Sequence, residues 1–229
     1  MSHDLYAAFS GAASAWKHLE IIGNNLANTN TIGFREARVT FQLADGAPDS
    51  PLDGAFVQAD SIGYVNTDGA IVQDGVATHL ALRGDAFFGL EDGTWTRDGS
   101  FRLDPEGTLV TQDGTRVSTD GGNGIRLEPG EVLSVTADGV VFGSNQGELG
   151  RLRLARLDGG RPMGGNRWEG TPAAIEGVSV LQGAREGSNT DPLRGMVELV
   201  EASRFFEAQQ RAMQASDEMH SRVNRVYGG

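Results

Sequence analysis

The chain has 229 residues, of which 38% are hydrophobic, a formal net charge of −12 and no cysteine. The missing cysteine excludes disulfides, thiolate metal sites and thiol nucleophiles, and leaves the redox compartment open. With one lysine, Lys17, and no basic stripe, the chain is not expected to bind nucleic acid.

No run of roughly 18 apolar residues appears. Residues 1–16 have neither a basic start nor a solid apolar stretch, so neither a transmembrane helix nor a cleavable signal peptide is expected. Charge is unevenly spread. Residues 1–45 carry three basic and four acidic groups, residues 185–229 six and seven, and the stretch between ten and twenty. Near-neutral ends can pack against copies of one another with little repulsion, while an acidic middle stays hydrated and resists unspecific association.

From the N-terminus, Leu5, Phe9, Ala12, Trp16, Leu19, Gly23 and Leu26 alternate at spacings of four and three, the period of a helical seam. This predicts one helix over residues 3–28, ending in the asparagine-rich stretch NNLANTNTIGF (24–34), where Gly33 cannot sustain it. The stretch 36–70, with Pro48, Pro51 and few large apolar residues, reads as an extended connector.

Between the two predicted helices, ten Asp-Gly pairs punctuate short β-branched and aromatic segments. TWTRDGSFRL (94–103), LVTQDGTRVS (109–118) and LSVTADGVVFG (133–143) are predicted hairpins of an antiparallel sandwich or barrel over residues 71–184. Residues 185–229 predict a second helix entered through Asp191-Pro192, with a seam of Leu199, Ala202, Phe206, Gln209, Met213, Ser216, His220 and Val223.

The predicted fold class is α+β: long N- and C-terminal helices forming a coiled-coil-like domain, with a central, mainly antiparallel β domain. The helices, residues 1–35 and 185–229, form the assembly part. A lone helix with one apolar stripe is marginal in water, so neighbouring subunits are expected to complete it. The candidate assembly residues are Leu5, Phe9, Ala12, Trp16, Leu19, Gly23, Asn24, Asn25, Leu26, Asn28, Leu199, Ala202, Phe206, Met213, His220 and Val223. Asn24 and Asn28, one helical turn apart, either cap the helix end or fix register between subunits.

Sites for chemistry are not expected. His3, His18, His79 and His220 lack ligand spacing, Gly121-Gly122-Asn123-Gly124 lacks the lysine of a phosphate loop, and no carboxylate pair stands out. No cofactor, metal, small-molecule substrate or enzymatic activity is predicted.

Three segments carry a family likeness. SGAASAWKHLEIIGNNLANTNTIGFR (10–35) resembles the N-terminal signature of flagellar rod and hook proteins. SNTDPLRGMVELVEASRFFEAQQRAMQASDEM (188–219) is similar to their C-terminal helix, and LRGDAFFGLEDGTWTRDGSFRLDPEGTLVTQDG (82–114) to their shared β domain. Arg35 stands where lysine is common in the family. The short chain and GELGRLRLARLD (147–158) resemble the proximal rod type, with the distal type as the near alternative.

The resemblance implies a structural subunit of the flagellar basal-body rod in the periplasm. Such a subunit is exported unfolded by the flagellar type III apparatus, assembles with copies of itself and other rod proteins, and transmits torque for motility. A secreted adhesin with a helical stalk is the competing reading from a different class.

Overall fold

A computed structural model describes residues 3–44 and 56–227, in which the chain divides into two units interleaved in sequence. One comprises Met1–Ala27, Glu36–Val65 and Asp191–Gly229, and the other Asn28–Arg35 and Asn66–Thr190.

The first unit contains helix α1 (His3–Ala27), strands β1 (Ala37–Ala44) and β2 (Phe56–Tyr64), and helix α2 (Pro192–Tyr227). Helix α2 begins as its sequence dictates. Asp191 Oδ1 accepts from the backbone N–H groups of Leu193 (2.9 Å) and Arg194 (3.3 Å), and Pro192 occupies the first helical position, where its missing N–H is not needed. Strands β1 and β2 pair antiparallel from Ala37 opposite Tyr64 onward, with a register shift between Thr40 and Phe41.

Helix α1 buries a wide arc, through Ala12, Ser14, Ala15, Ile21, Ile22 and Asn25. One flank meets α2. The Trp16 and Phe206 rings lie 5.8 Å apart, and a Cβ on Gly11 would stand 3.4 Å from the Gln209 side chain. The other flank meets the hairpin. His18 meets Phe41 edge-on at 5.9 Å, and the Asn25 amide spans the Ala37 backbone, donating Nδ2 to its carbonyl (2.8 Å) and accepting its N–H on Oδ1 (2.9 Å).

Two expectations are corrected here. The terminal helices do not form a coiled-coil-like domain. Phe9 and Trp16, central to the expected seam, are 67% and 61% exposed, and a hairpin takes a flank of α1 that no seam provides for. The described residues hold fifteen strands against two helices, so the chain is mostly β. The extended connector is also replaced: residues 37–44 and 56–64 of that stretch are the paired strands themselves, whose backbone groups bond each other. Residues 45–55 of it lie outside the described residues.

In the second unit the strand pairings are all antiparallel. Phe87–Gly89, Trp95–Thr96, Arg167–Ala173 and Leu154–Gly164 close a small barrel, and Leu133–Val135, Val140–Gly143 and Gly147–Arg151 form a three-stranded sheet. The core joins Leu80, Leu82, Phe88, Leu90, Phe101 and Leu109 to Ile125, Leu127, Val141 and Leu152, with Phe88 and Phe101 edge to face at 5.1 Å. Each of these large side chains contributes about 1.5–3 kcal/mol by leaving water.

The predicted hairpin at 133–143 is present, and Val110 bridges Arg116 in the second predicted hairpin. The one at 94–103 is not. Trp95 pairs with Gly89 and Trp168 instead, because Arg97 turns inward and Gly99 packs so closely that a Cβ would stand 1.6 Å from the Leu80 carbonyl oxygen.

Arg97 is the largest fully buried side chain of the unit. Its guanidinium donates to Glu186, to Asp68 Oδ1 (3.0 Å), and to the carbonyls of Leu82 (3.0 Å), Gly84 (2.8 Å) and Ala86. Arg35 enters the same site, 3.4 Å from both Asp68 Oδ1 and Glu186 Oε1, and donates to the Thr67 carbonyl. Glu186 and Asp68 are completed by the backbone N–H groups of Gly69 and Gly84, each at 2.9 Å. Two cations and two anions thus cancel. Burial, and next the charge of Arg97, pushes the Arg35 guanidinium below its ordinary value, while Glu186 and Asp68 act the other way.

Residues 28–35 lie on the β unit as a strap. Gly33 donates its N–H to the Glu186 carbonyl (2.8 Å) with φ +66°, and a Cβ there would stand 2.6 Å from the Arg97 carbonyl oxygen, so only glycine fits. Asn166 Nδ2 donates to the Ile32 carbonyl, and Asn189 donates to the carbonyls of Phe34 and Thr67.

Two stability predictions follow from these contacts. Glu186→Gln keeps the size of the side chain but leaves two buried guanidinium groups facing one carboxylate. It is expected to lower unfolding stability by about 3–5 kcal/mol, read as a shift in the urea midpoint. The exposed change Asp158→Asn stays within about 0.5 kcal/mol. Asn25→Ala removes both bonds to Ala37 at a buried position and is expected to destabilise the helical unit by about 1–3 kcal/mol, measured by thermal melting.

Candidate assembly surface

Two patches of large apolar side chains are exposed on the helices, besides Phe205 on α2 and Phe41 and Ile62 on the hairpin. On α1 these are Phe9 and Trp16, with Ala13, Gly23 and Ala27 also exposed on the same side. Gly23 has nothing within 4 Å of where a Cβ would stand, so the backbone there is open to close approach.

On α2 the patch comprises Leu193, Met196, Val197 and Val200, at 75%, 52%, 59% and 51% exposure. At 3.6 residues per turn these four share one face, roughly opposite Leu199, Ala202 and Phe206. Helix α2 is therefore apolar on two sides, one turned toward α1 and one outward.

The expected assembly residues divide accordingly. Phe9, Trp16, Gly23 and Asn24 are exposed; Leu19, Leu26, Asn28, Leu199, Phe206 and Met213 are half-buried; Ala12, Asn25 and Ala202 are buried. The side chains of Leu5, His220 and Val223 lie outside the described residues. The α2 seam is thus largely spent inside the chain, beside α1. Asn25 holds Ala37, and Asn28, beyond the end of α1, accepts from the Thr31 hydroxyl (3.0 Å) as a turn-forming residue.

The outward stripe of α2 was missed, although Leu193, Met196, Val197 and Val200 fall at spacings of three, one and three, the signature of a helix face. A search for a single stripe per helix passes over a second one.

Charge around the patches is balanced. Lys17 and Glu20 pair on α1 at 2.8 Å, and Arg194 and Glu198 pair on α2 at 2.7 Å. The Glu198 bond raises the Arg194 guanidinium above its ordinary value, and burial raises the Tyr64 hydroxyl. Exposed pairs of this kind contribute a few tenths of a kcal/mol, so the patches are sites of packing more than of ionic attraction.

The β unit offers an open hollow of about 670 Å³ lined by Asp104, Glu106, Arg126, Glu128 and Glu131. Two of its acidic groups serve loop geometry. Glu131 accepts the N–H groups of Glu128, Asn145 and Gln146, which hold its carboxyl below the usual range, and Asp104 accepts that of Thr108. Among the described residues no group of three or more His, Cys, Asp or Glu could hold a metal, and no helix is long and apolar enough to cross a membrane.

Comparison with known proteins covers both units. Residues 5–35 match the model of the flagella basal body rod protein, residues 81–143 that of the flagellar hook protein FlgE/F/G D1 domain, and residues 181–226 that of the flagellar basal body rod FlgEFG protein C-terminal region. The chain is 32% identical to the flagellar basal-body rod protein FlgF of Caulobacter vibrioides, over 99% of this chain and 98% of that one. It is 31% identical to the flagellar basal-body rod protein FlgG of Bacillus subtilis, over 96% and 97%. It is 30% identical to the FlgF of Rhizobium meliloti, over 100% and 99%. With three family models placed in the order of the chain and relatives aligned from end to end, the chain belongs to the flagellar basal-body rod protein family and is FlgF-like within it.

Proposed function

We propose that this chain is a structural subunit of the flagellar basal-body rod, of the proximal type, which polymerises through its helical unit and carries torque in the periplasm. The observation that carries this reading is the pair of outward apolar faces on α1 and α2, each lying within a segment matched by a rod-family model. Exposed apolar faces on a soluble unit mark surfaces that other proteins cover. The occupants are other copies of this chain and other rod proteins.

Passage through the flagellar type III apparatus in an unfolded state is the proposed export route, and the chain has no disulfide to break on the way. The acidic stretch between the ends keeps unassembled copies apart. No catalytic step is assigned.

The test is electron cryotomography of cells lacking the gene, beside a complemented strain. Absent or truncated rods with lost swimming are expected, and the point of truncation separates the proximal from the distal type. Intact rods with normal swimming would refute the rod role. In the complemented strain, Val200→Glu is expected to abolish swimming while leaving the thermal melt of the purified protein unchanged. An equal loss of both would assign Val200 to folding.

A further inference from the structure

The two outward faces match each other residue by residue. On α1, Phe9, Ala13, Trp16 and Glu20 follow at spacings of four, three and four, and all are exposed. On α2, Leu193, Val197, Val200 and Arg204 follow at the same spacings, and all are exposed.

Laid alongside in the same direction, Leu193 falls opposite Phe9, Val197 opposite Ala13 and Val200 opposite Trp16. The two charged positions, Glu20 and Arg204, then meet with opposite sign. Reversing one helix sets each charge against a large apolar side chain, which leaves it poorly solvated and unpaired. The small Ala13 leaves room for Val197. Within one chain the two stripes do not face each other: α2 turns its Phe206 side to α1, and that ring reaches only the edge of the α1 face, at Trp16, 5.8 Å away and still 61% exposed.

We infer that the α2 stripe of one copy seats on the α1 outer face of a second copy, in parallel register, with Arg204 against Glu20. This rests on the rod-subunit reading. The contact is heterologous, joining two different patches, so each copy keeps one of each patch free for the next and the contact propagates. Glu20 exchanges its exposed partner Lys17, held at 2.8 Å, for Arg204 at little cost. Twelve residues of helix, eleven rises, span about 17 Å, a contact well below the size of a stable pairwise interface. Isolated pairs therefore do not persist, and the contact holds only when many engage together.

The chain has no cysteine, so single cysteines report the contact directly. Full-length Ala13→Cys and Val197→Cys copies, carrying tags of different size, are co-produced in cells lacking the native gene and mildly oxidised. The expected product is a dimer holding one copy of each, with no dimer when either variant is produced alone. Dimers from either variant alone, a cross-link to a rod protein of another mass, or no cross-link in cells that swim normally would overturn the inference.

Register is tested by charge exchange. Glu20→Arg and Arg204→Glu are each expected to abolish swimming and together to restore it, and a double variant that stays immotile overturns the parallel pairing. Tomography of the deletion strain keeps the two failures distinct, because rods missing on deletion uphold the subunit role whichever way the cross-links fall.

Discussion

Three charges with almost no access to water, Arg97, Arg35 and Glu186, and a fourth, Asp68, at their solvent edge hold the β unit together. Arg97 and Arg35 face Glu186 and Asp68 at a point where four separate stretches of the chain converge. Removing Glu186 strands two buried guanidinium groups with only the edge carboxylate of Asp68, so the cluster tolerates little change once built. Its net neutrality lets it exist inside a unit whose surface is strongly acidic. The cluster also explains the local geometry around it: Arg97 must turn inward, which breaks the hairpin that its neighbours would otherwise form, and Gly33 must be glycine because the Arg97 backbone lies against it.

This cluster changes the meaning of the asparagine-rich signature. The stretch is one continuous motif in sequence, yet it serves two units. Its first half ends α1, and Asn25 is committed to Ala37 inside the helical unit. Its second half, Asn28–Arg35, belongs to the β unit, where Gly33 and Arg35 dock beside Arg97. Much of the motif is therefore spent on intramolecular bonds. A polar residue in a family signature need not face a partner, since a buried amide that satisfies two backbone groups is just as demanding of identity.

The helical unit shows the opposite economy. Its helices cover part of each other and present other sides to solvent, with valines, a leucine, a methionine, two phenylalanines and a tryptophan exposed. Such a surface is unfavourable for a monomer and useful for a polymer. Weak contacts that are repeated by symmetry become strong collectively, and a net negative charge opposes unspecific association of single copies.

Helix positions, turn positions and family were legible in the sequence, because they depend on local spacing: four-three periodicity, Asp-Pro as a helix start, Asp-Gly at β-turns. The 3.5-residue period also invited a two-helix seam that the structure does not contain. Periodicity reports which residues share a face and is silent on what covers it. Here a hairpin built from Ala37–Ala44 and Phe56–Tyr64 covers one flank of α1, and α2 takes another. The pairing of Arg35 with Glu186, far apart in the chain, could not be read from either segment alone. What the sequence determined by itself was the set of short-range elements and the charge of each region. Which faces are buried, and which charges cancel, was decided by tertiary structure, because burial and ion pairing depend on distances that only the folded chain sets.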